Sequence, residues 1–468
     1  HDRGTPASSI SFSLAPGVSL SQATDAVHNA VAELGVPVGI RGTFGGTAGA
    51  FQDALAGQPL LILADTFIIG HLGTADLGGL TLASSVLGLL VGLSVFLAYG
   101  TTSVVSRRLG AGDRSGALSG GIDGIVLGIV LGLLYAAVLI PTAPALLGLY
   151  GAAQDVTALG VTYLRIVALG LPAQLVILAS TGVLRGLQDT RTPLRVVVTI
   201  NVLNVALNVL LVYGLNLGIG GAAAGTATSQ WVGAALLSSA VLRGARSAGV
   251  PLRLRPRGVM VAAKLGGWLV IRNAALNLAL LMTTLTATSL GTVALAAHQI
   301  INTLWTTVAF ALDAFAIAAQ ALVGVRVGAG DTGGARRVLG RVLVWGVGFS
   351  VLVGGLLLLV RVPLSGAFSP DVAVQALVQE TILVLAVLAP IGAVAFQLDG
   401  VLIGAGDARF LALAGTAATL AYVPFVAAVW THHAGLSWLW AAYGAWLVAR
   451  CLLLWLRTRG DSWAHADV

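Results

Sequence analysis

Two stretches of this chain are copies of one another, set apart by a constant 218 residues. LGTADLGGL…RRLGAGDRSGA, from Leu72 to Ala117, returns as LGTVALAAH…VRVGAGDTGGA, from Leu290 to Ala335. The register runs without a gap from Gly73 and Gly291 through Gly110 and Gly328 to Asp113 and Asp331. It still holds downstream, where Pro172 maps to Pro390 and VLRGLQDTR (Val183 to Arg191) to VLIGAGDAR (Val401 to Arg409). Solenoid units repeat every ~20–50 residues, so a unit of this length is a whole bundle used twice.

That bundle is nearly all apolar. Of the 468 residues 57% are hydrophobic and 9% charged, against about 25% charged in a soluble domain. Too few charges remain to cover a water-facing surface. Runs such as GIVLGIVLGLLYAAVLI (Gly124 to Ile140) and VLVWGVGFSVLVGGLLLLV (Val342 to Val360) approach the ~20 residues that cross a bilayer. The 61 glycines suit helices that pack closely in lipid.

Hydropathy and loop signals predict an all-α membrane protein with twelve transmembrane helices. They fall at 52–72, 77–106, 117–140, 157–180, 195–214, 219–242, 265–288, 292–325, 339–361, 372–403, 410–430 and 437–457. Pro141, Pro144, Pro193, Pro251, Pro256 and Pro363 are read as lying near or beyond helix ends. Six spans per half give both copies the same orientation, so the two lobes form a parallel repeat about a pseudo-two-fold along the membrane normal. The expected organisation is an unrelated segment 1–51, an N-lobe 52–242, a linker 243–264, a C-lobe 265–457 and a tail 458–468.

Basic residues recur in alternate loops. They sit at Arg107, Arg108 and Arg114; at Arg185, Arg191 and Arg195; from Arg243 to Lys264; from Arg326 to Arg341; and at Arg409. Loops 70–74, 214–221 and 431–437 carry none, and Arg361 alone breaks the pattern. By the positive-inside rule the basic loops and the C-terminus face the cytoplasm. The net charge of +7 therefore reports topology, and nucleic acid is not an expected partner. The GAGD turns at Gly110, Gly328 and Gly404 join membrane helices rather than following a strand. Tight turns with Asp as helix cap fit better there than phosphate cradles. Cys451 is the single cysteine, so neither an intrachain disulfide nor a cysteine-rich metal site is expected. No nucleophile–base pair shares a membrane depth, so neither an enzyme nor a cofactor is expected.

Acids inside a bilayer span cost about 2.5–3.5 kcal/mol on insertion scales and are functional candidates by default. Asp65 lies eight residues before the outer hairpin at Gly73, about 12 Å deep at the helical rise. Asn204 and Asn208, four apart on one helix face, lie about 16 and 10 Å deep. Thr226 and Tyr163 lie about 10 and 9 Å deep on two further helices. At the 218 offset the second lobe has Thr283 for Asp65, Tyr422 for Asn204, Val426 for Asn208 and Gly444 for Thr226. A polar group confined to one lobe is more than helix glue. Arg272 and Asp313, at similar depth on neighbouring helices, are expected to form an intramembrane ion pair. Asp123 and Asp399, near cytoplasmic helix ends, read as gate-side or structural acids. His298, near an outer helix end beside Gln299, reads as a hydrogen-bonded packing residue.

From Leu61 onward the chain resembles the multidrug and toxic compound extrusion (MATE) transporters, in their DinF-like branch. The resemblance rests on LADTFIIGHLGTADLGGL (Leu63 to Leu80), FLAYGTTSVVSRRLGAGD (Phe96 to Asp113), YLRIVALGLPAQL (Tyr163 to Leu175), DAFAIAAQALVG (Asp313 to Gly324) and LDGVLIGAGD (Leu398 to Asp407). It implies a V-shaped, alternating-access exporter of amphipathic or cationic drug-like compounds, multi-pass in a bacterial inner membrane, driven by a proton or sodium gradient. A monomer is the expected form. It also implies that Asp65 is the coupling carboxylate, with Asn204, Thr226 and Tyr163 as neighbours. Asn208 departs from the family, where many relatives carry a second Asp. Leu276 stands where sodium-coupled relatives carry a glutamate. One carboxylate among neutral partners favours a proton over sodium. A lipid-precursor flippase and an inactive fusion are the alternatives.

Residues 9–63 resemble a different protein, a porter segment of the resistance-nodulation-division efflux pumps, through SFSLAPGVSL (Ser11 to Leu20) and IRGTFGGTAGAF (Ile40 to Phe51). The two resemblances meet at LLILAD, Leu60 to Asp65, as in a fusion that has cost the first span its cytoplasmic half. The chain begins at His1 rather than methionine, from which a missing or altered N-terminus is expected.

Overall fold

The computed structural model describes residues 68–69, 72–250, 255–432, 434–460 and 462–465. Asp65, the segment 1–51 and most of the first predicted span lie outside the described residues.

From Thr74 the chain is helix after helix. In order these are α1 Thr74–Ser94, α2 Phe96–Gly110, α3 Arg114–Gly148, α4 Gln154–Ala168, α5 Leu171–Gly186 and α6 Arg191–Asn208, which continues as a π-helix, Val209–Gly214. Then come α7 Gly218–Ser247, α8 Pro256–Ser289, α9 Thr292–Gly328, α10 Thr332–Phe368, α11 Val372–Ala405, α12 Ala408–His432 and α13 Leu436–Arg459, with a 3-10 turn at Ser462–His465. Among the described residues nine stretches are long and apolar enough to cross a membrane, α1 and α2 counting together, and the α4–α5 pair, bent by 51°, makes a tenth. The remaining helix, α7, is 30 residues long and rich in Gly, Ala and Ser.

Helices run past several predicted ends. Pro141 and Pro144 lie inside α3, and Pro363 inside α10. Proline breaks helices in water because it strands a carbonyl one turn back; in a membrane protein a neighbouring helix can supply the missing donor. Here the carbonyl stranded by Pro144 is that of Ile140, and Arg165 Nε on α4 donates to it at 3.0 Å. The predicted linker is also largely helical, since α7 continues to Ser247 and α8 starts at Pro256.

The α4–α5 bend has a local cause. Trp231 Nε1 on α7 donates to the Leu169 carbonyl at 3.1 Å. A Cβ on Gly170 would lie 2.1 Å from Gln230 Oε1 and 3.1 Å from Ala227 Cα, so the bend packs closely on α7 at a glycine. The repeat-related helix α11 carries Leu388 there and runs straight through Pro390.

In the N-lobe α5 packs against α2, α3 and α7, while α1 lies on α4. In the C-lobe α9, α10 and α13 surround α11, and α8 lies along α12. Of the three larger apolar cores among the described residues, two belong to one lobe each: one gathers Leu80, Leu147, Leu164 and Ile219, the other Ile301, Ile382, Tyr422 and Trp440. A third is shared by both lobes and lies toward the basic loops, with Val105, Leu184 and Leu237 beside Val323, Leu402 and Leu411. The lobes are thus fused at the basic-loop end and keep separate cores at the other.

The repeat partners α2 and α9 cross at the fused end. A Cβ on Gly110 would lie 2.0 Å from the Val325 carbonyl oxygen, and one on Gly328 1.8 Å from that of Arg107. Arg107 and Val325 are themselves related by the 218 offset. The contact is reciprocal, as a two-fold axis through the crossing requires.

Two of the three GAGD turns end in matched caps. Asp113 accepts from Gly116 N and Asp331 from Gly334 N, each at 2.7 Å. That backbone bond, helped at Asp113 by the Ser115 hydroxyl, holds both carboxyls below the usual carboxylate range. The third departs from the expected cap: the Asp407 carboxylate accepts from Arg457 Nε at 2.6 Å.

Candidate functional site

Asn204 and Asn208 face the N-lobe interior from α6, 1% and 0% exposed. Their i, i+4 spacing stacks them on one face, and Asn208 Nδ2 donates to Asn204 Oδ1 at 3.2 Å. Asn204 Nδ2 in turn donates to Thr226 Oγ1 on α7 at 3.1 Å. Close approach of α7 depends on Gly225, where a Cβ would lie 2.3 Å from Asn208 Oδ1. Directly after Asn208 the helix widens into its π segment, a feature frequent at functional sites. Tyr213 in that segment donates its hydroxyl to the Ile68 carbonyl at 2.8 Å. Tyr163 is buried on α4, which packs on both α1 and α7. Three of the four described candidates thus form one hydrogen-bonded chain, with Tyr163 on an adjoining helix. Asp65 falls outside the described residues.

At the same place the C-lobe is built differently. Thr283 and Tyr422, the repeat counterparts of Asp65 and Asn204, share a hydrogen bond of 2.8 Å. Around them Tyr422, Tyr443, Trp440, Trp446 and Trp305 pack edge-to-face or tilted at 5.0–6.4 Å. His298 is bonded through Nε2 to Thr284 Oγ1 at 3.1 Å and lies against Trp440. Leu276 is partly buried against this core. One lobe has a chain of amides and a hydroxyl where the other has packed aromatics.

The charged residues pair otherwise than depth alone predicts. Arg272 bonds Asp399 on α11, not Asp313, and Asp399 Oδ2 also accepts from Arg450 NH2 on α13 at 2.9 Å. The reason is azimuth. Helix α8 lies along α12 and touches α9 only lightly, so position 272 reaches back into its own lobe. Asp313, on α9, faces the other lobe, where the Tyr99 hydroxyl of α2 donates to its carboxylate at 3.2–3.3 Å. Gln320 Nε2 donates to the Tyr99 carbonyl at 2.6 Å, and Ser103 Oγ to the Gly404 carbonyl at 3.4 Å. Asp123, on α3, sits 3.6 Å from Arg255. Sequence reasoning missed Arg450, although a charge in the last span was signal enough. Tyr99 and Gln320 carry no charge and give no such signal.

Comparison with known proteins follows the same division. The profile described as MatE matches residues 54–210 and 269–427, one block in each repeat. The chain is 31% identical over 428 residues to Protein DETOXIFICATION 44, chloroplastic, of Arabidopsis thaliana, covering 88% of this chain and 81% of that one. It is 29% identical over 423 residues to DNA damage-inducible protein F of Escherichia coli (strain K12), covering 87% and 90%. The crystal structure of MATE in the bent conformation superposes with a TM-score of 0.80 at 20% identity, over 89% of this chain and 94% of the other. A separate match, 39% identical over 104 residues, joins 20% of this chain to 10% of Multidrug resistance protein MdtC of Enterobacter sp. (strain 638), in line with the efflux-pump resemblance of the N-terminal segment.

Proposed function

This chain belongs to the MatE family, and from that membership we propose a multi-pass secondary active exporter of amphipathic, drug-like compounds, coupled to the proton gradient. The observation that carries the coupling reading is the asymmetry between lobes. Buried amides and a hydroxyl form a bonded chain in the N-lobe, whereas apolar and aromatic packing fills the related place in the C-lobe. The repeat relates Asp65 to Thr283, whose hydroxyl meets the counterpart of Asn204. An amide chain of this kind supports a single carboxyl that is ionised in one state and protonated in the next. Taking up a proton at Asp65 removes a charge from the bilayer and shifts the two-state equilibrium toward the substrate-releasing form. Sodium favours several hard oxygen ligands, which neutral Asn204, Asn208 and Thr226 supply less well than a second carboxylate would.

A lipid-linked precursor flippase would be expected to carry a wide cationic cavity. The described intramembrane arginines do not supply one: Arg272 and Arg450 share Asp399, and Arg165 serves the Ile140 carbonyl.

Efflux of a fluorescent cationic dye from vesicles under an imposed proton gradient tests the coupling. Asp65→Asn is expected to lower the gradient-driven rate by about tenfold or more, the scale of one strongly coupled ionisation. A rate that needs sodium and ignores pH, or an Asp65→Asn variant that pumps at the original rate, overturns the assignment.

A further inference from the structure

Beside the lobe crossing lies a cavity of roughly 210 Å³ that the transport reading does not use. Its walls come from α2 and α3 of the N-lobe and from α8 of the C-lobe, with Phe96, Leu97, Leu127 and Leu265 supplying an apolar lining. Val261, at its edge, is 64% exposed and neighbours Met260, 70% exposed. Both lie about one turn on the basic-loop side of the exposed Lys264, so the cavity opens at the level where headgroups meet acyl chains. Its other end is basic. Arg108, Arg255 and Arg257 line it together with one acid, Asp123. Arg255 already pairs with Asp123 at 3.6 Å and bonds Ser119, while Arg108 spends one N–H on the Gly116 carbonyl at 2.8 Å. Two positive charges, Arg108 and Arg257, are left at the mouth of a greasy slot on the side of the basic loops.

We propose that this crevice binds an anionic phospholipid of the leaflet facing the basic loops, its phosphate at Arg108 and Arg257 and an acyl chain between α2, α3 and α8. Basic pockets between membrane helices on that side hold anionic headgroups by the same combination of charge and apolar surface. Because its walls belong to different lobes, the site exists in this form only while the lobes are fused at the basic-loop end. A lipid bound here therefore stabilises that state by mass action. The inference does not depend on which ion drives transport or on Asp65.

The test is lipid retention by the full chain. Protein reconstituted with a four-to-one mixture of phosphatidylcholine and phosphatidylglycerol is extracted and its bound lipids counted by native mass spectrometry. Phosphatidylglycerol is expected to be retained over phosphatidylcholine by roughly tenfold, and to raise the melting temperature relative to phosphatidylcholine alone. The double variant Arg108→Gln, Arg257→Gln should lose that preference. Gly100→Leu should reduce retention of both lipids, since a Cβ there meets nothing closer than 3.8 Å and a longer side chain fills the slot. Equal retention of the two lipids by the unmodified chain overturns the proposal, as does a preference that survives loss of both arginines. Full displacement by soluble glycerol phosphate also overturns it, because the site would then be one for free anions.

Discussion

Asp399 serves two guanidinium groups through Oδ2, while its Oδ1 has no hydrogen-bond partner among the described residues. One carboxylate thus offsets two buried arginines, 7% and 5% exposed. Removing a buried charge while its partners stay costs about 3–5 kcal/mol. Asp399→Asn is therefore expected to destabilise the protein by about that amount, read as a lowered unfolding midpoint in detergent. A midpoint close to that of the parent would show that the arginines find other partners. The polar chain in the N-lobe was partly legible from residue spacing: Asn204 and Asn208 declare a shared face, and depth brings in Thr226. Arg272 and Asp313 show where such reasoning stops. Their heights agree, but they point from their helices toward different neighbours.

The ends of the helices were legible wherever a turn had to form, and less so where proline suggested one. At Pro144 the helix α3 continues with Arg165 of a neighbouring helix meeting the stranded carbonyl, a contact that the local sequence around the proline does not contain. At Asp113 and Asp331 local chemistry suffices, and both caps form as their spacing suggests. These carboxyls sit below the usual carboxylate range in the folded protein. Their contribution to stability is therefore complete above the unfolded-chain value of about 3.9 and disappears as pH falls through the lower folded value. The double variant Asp113→Ala, Asp331→Ala should melt below the parent at neutral pH, with the gap closing in acid. A gap that stays constant or widens on acidification would show that the carboxylates do not act as caps.

Across the whole molecule the lobes meet most closely where α2 crosses α9, at the basic-loop end. The two glycines of this crossing each bring one lobe onto a carbonyl of the other, so a methyl group at either position forces the lobes apart. Overpacking of this kind costs about 1–3 kcal/mol, enough to move a two-state equilibrium by about tenfold. Gly110→Ala and Gly328→Ala should each lengthen the distance between spin labels at Ser115 and Arg337, by similar amounts because the contact is reciprocal. A shift in only one variant, or in neither, would mean that the apolar core shared by both lobes holds the closure instead.

The sequence by itself determined the helical class, the duplicated architecture and most helix boundaries, because a run of about twenty apolar residues enters a bilayer with its backbone groups satisfied within the run, as a helix. Those are properties of a line of residues, and a line displays them. Only the tertiary structure decided which arginine meets which acid, which proline is bridged and where the lobes touch. Each of these depends on how a helix is turned about its own axis, and that rotation is fixed by neighbours on other helices.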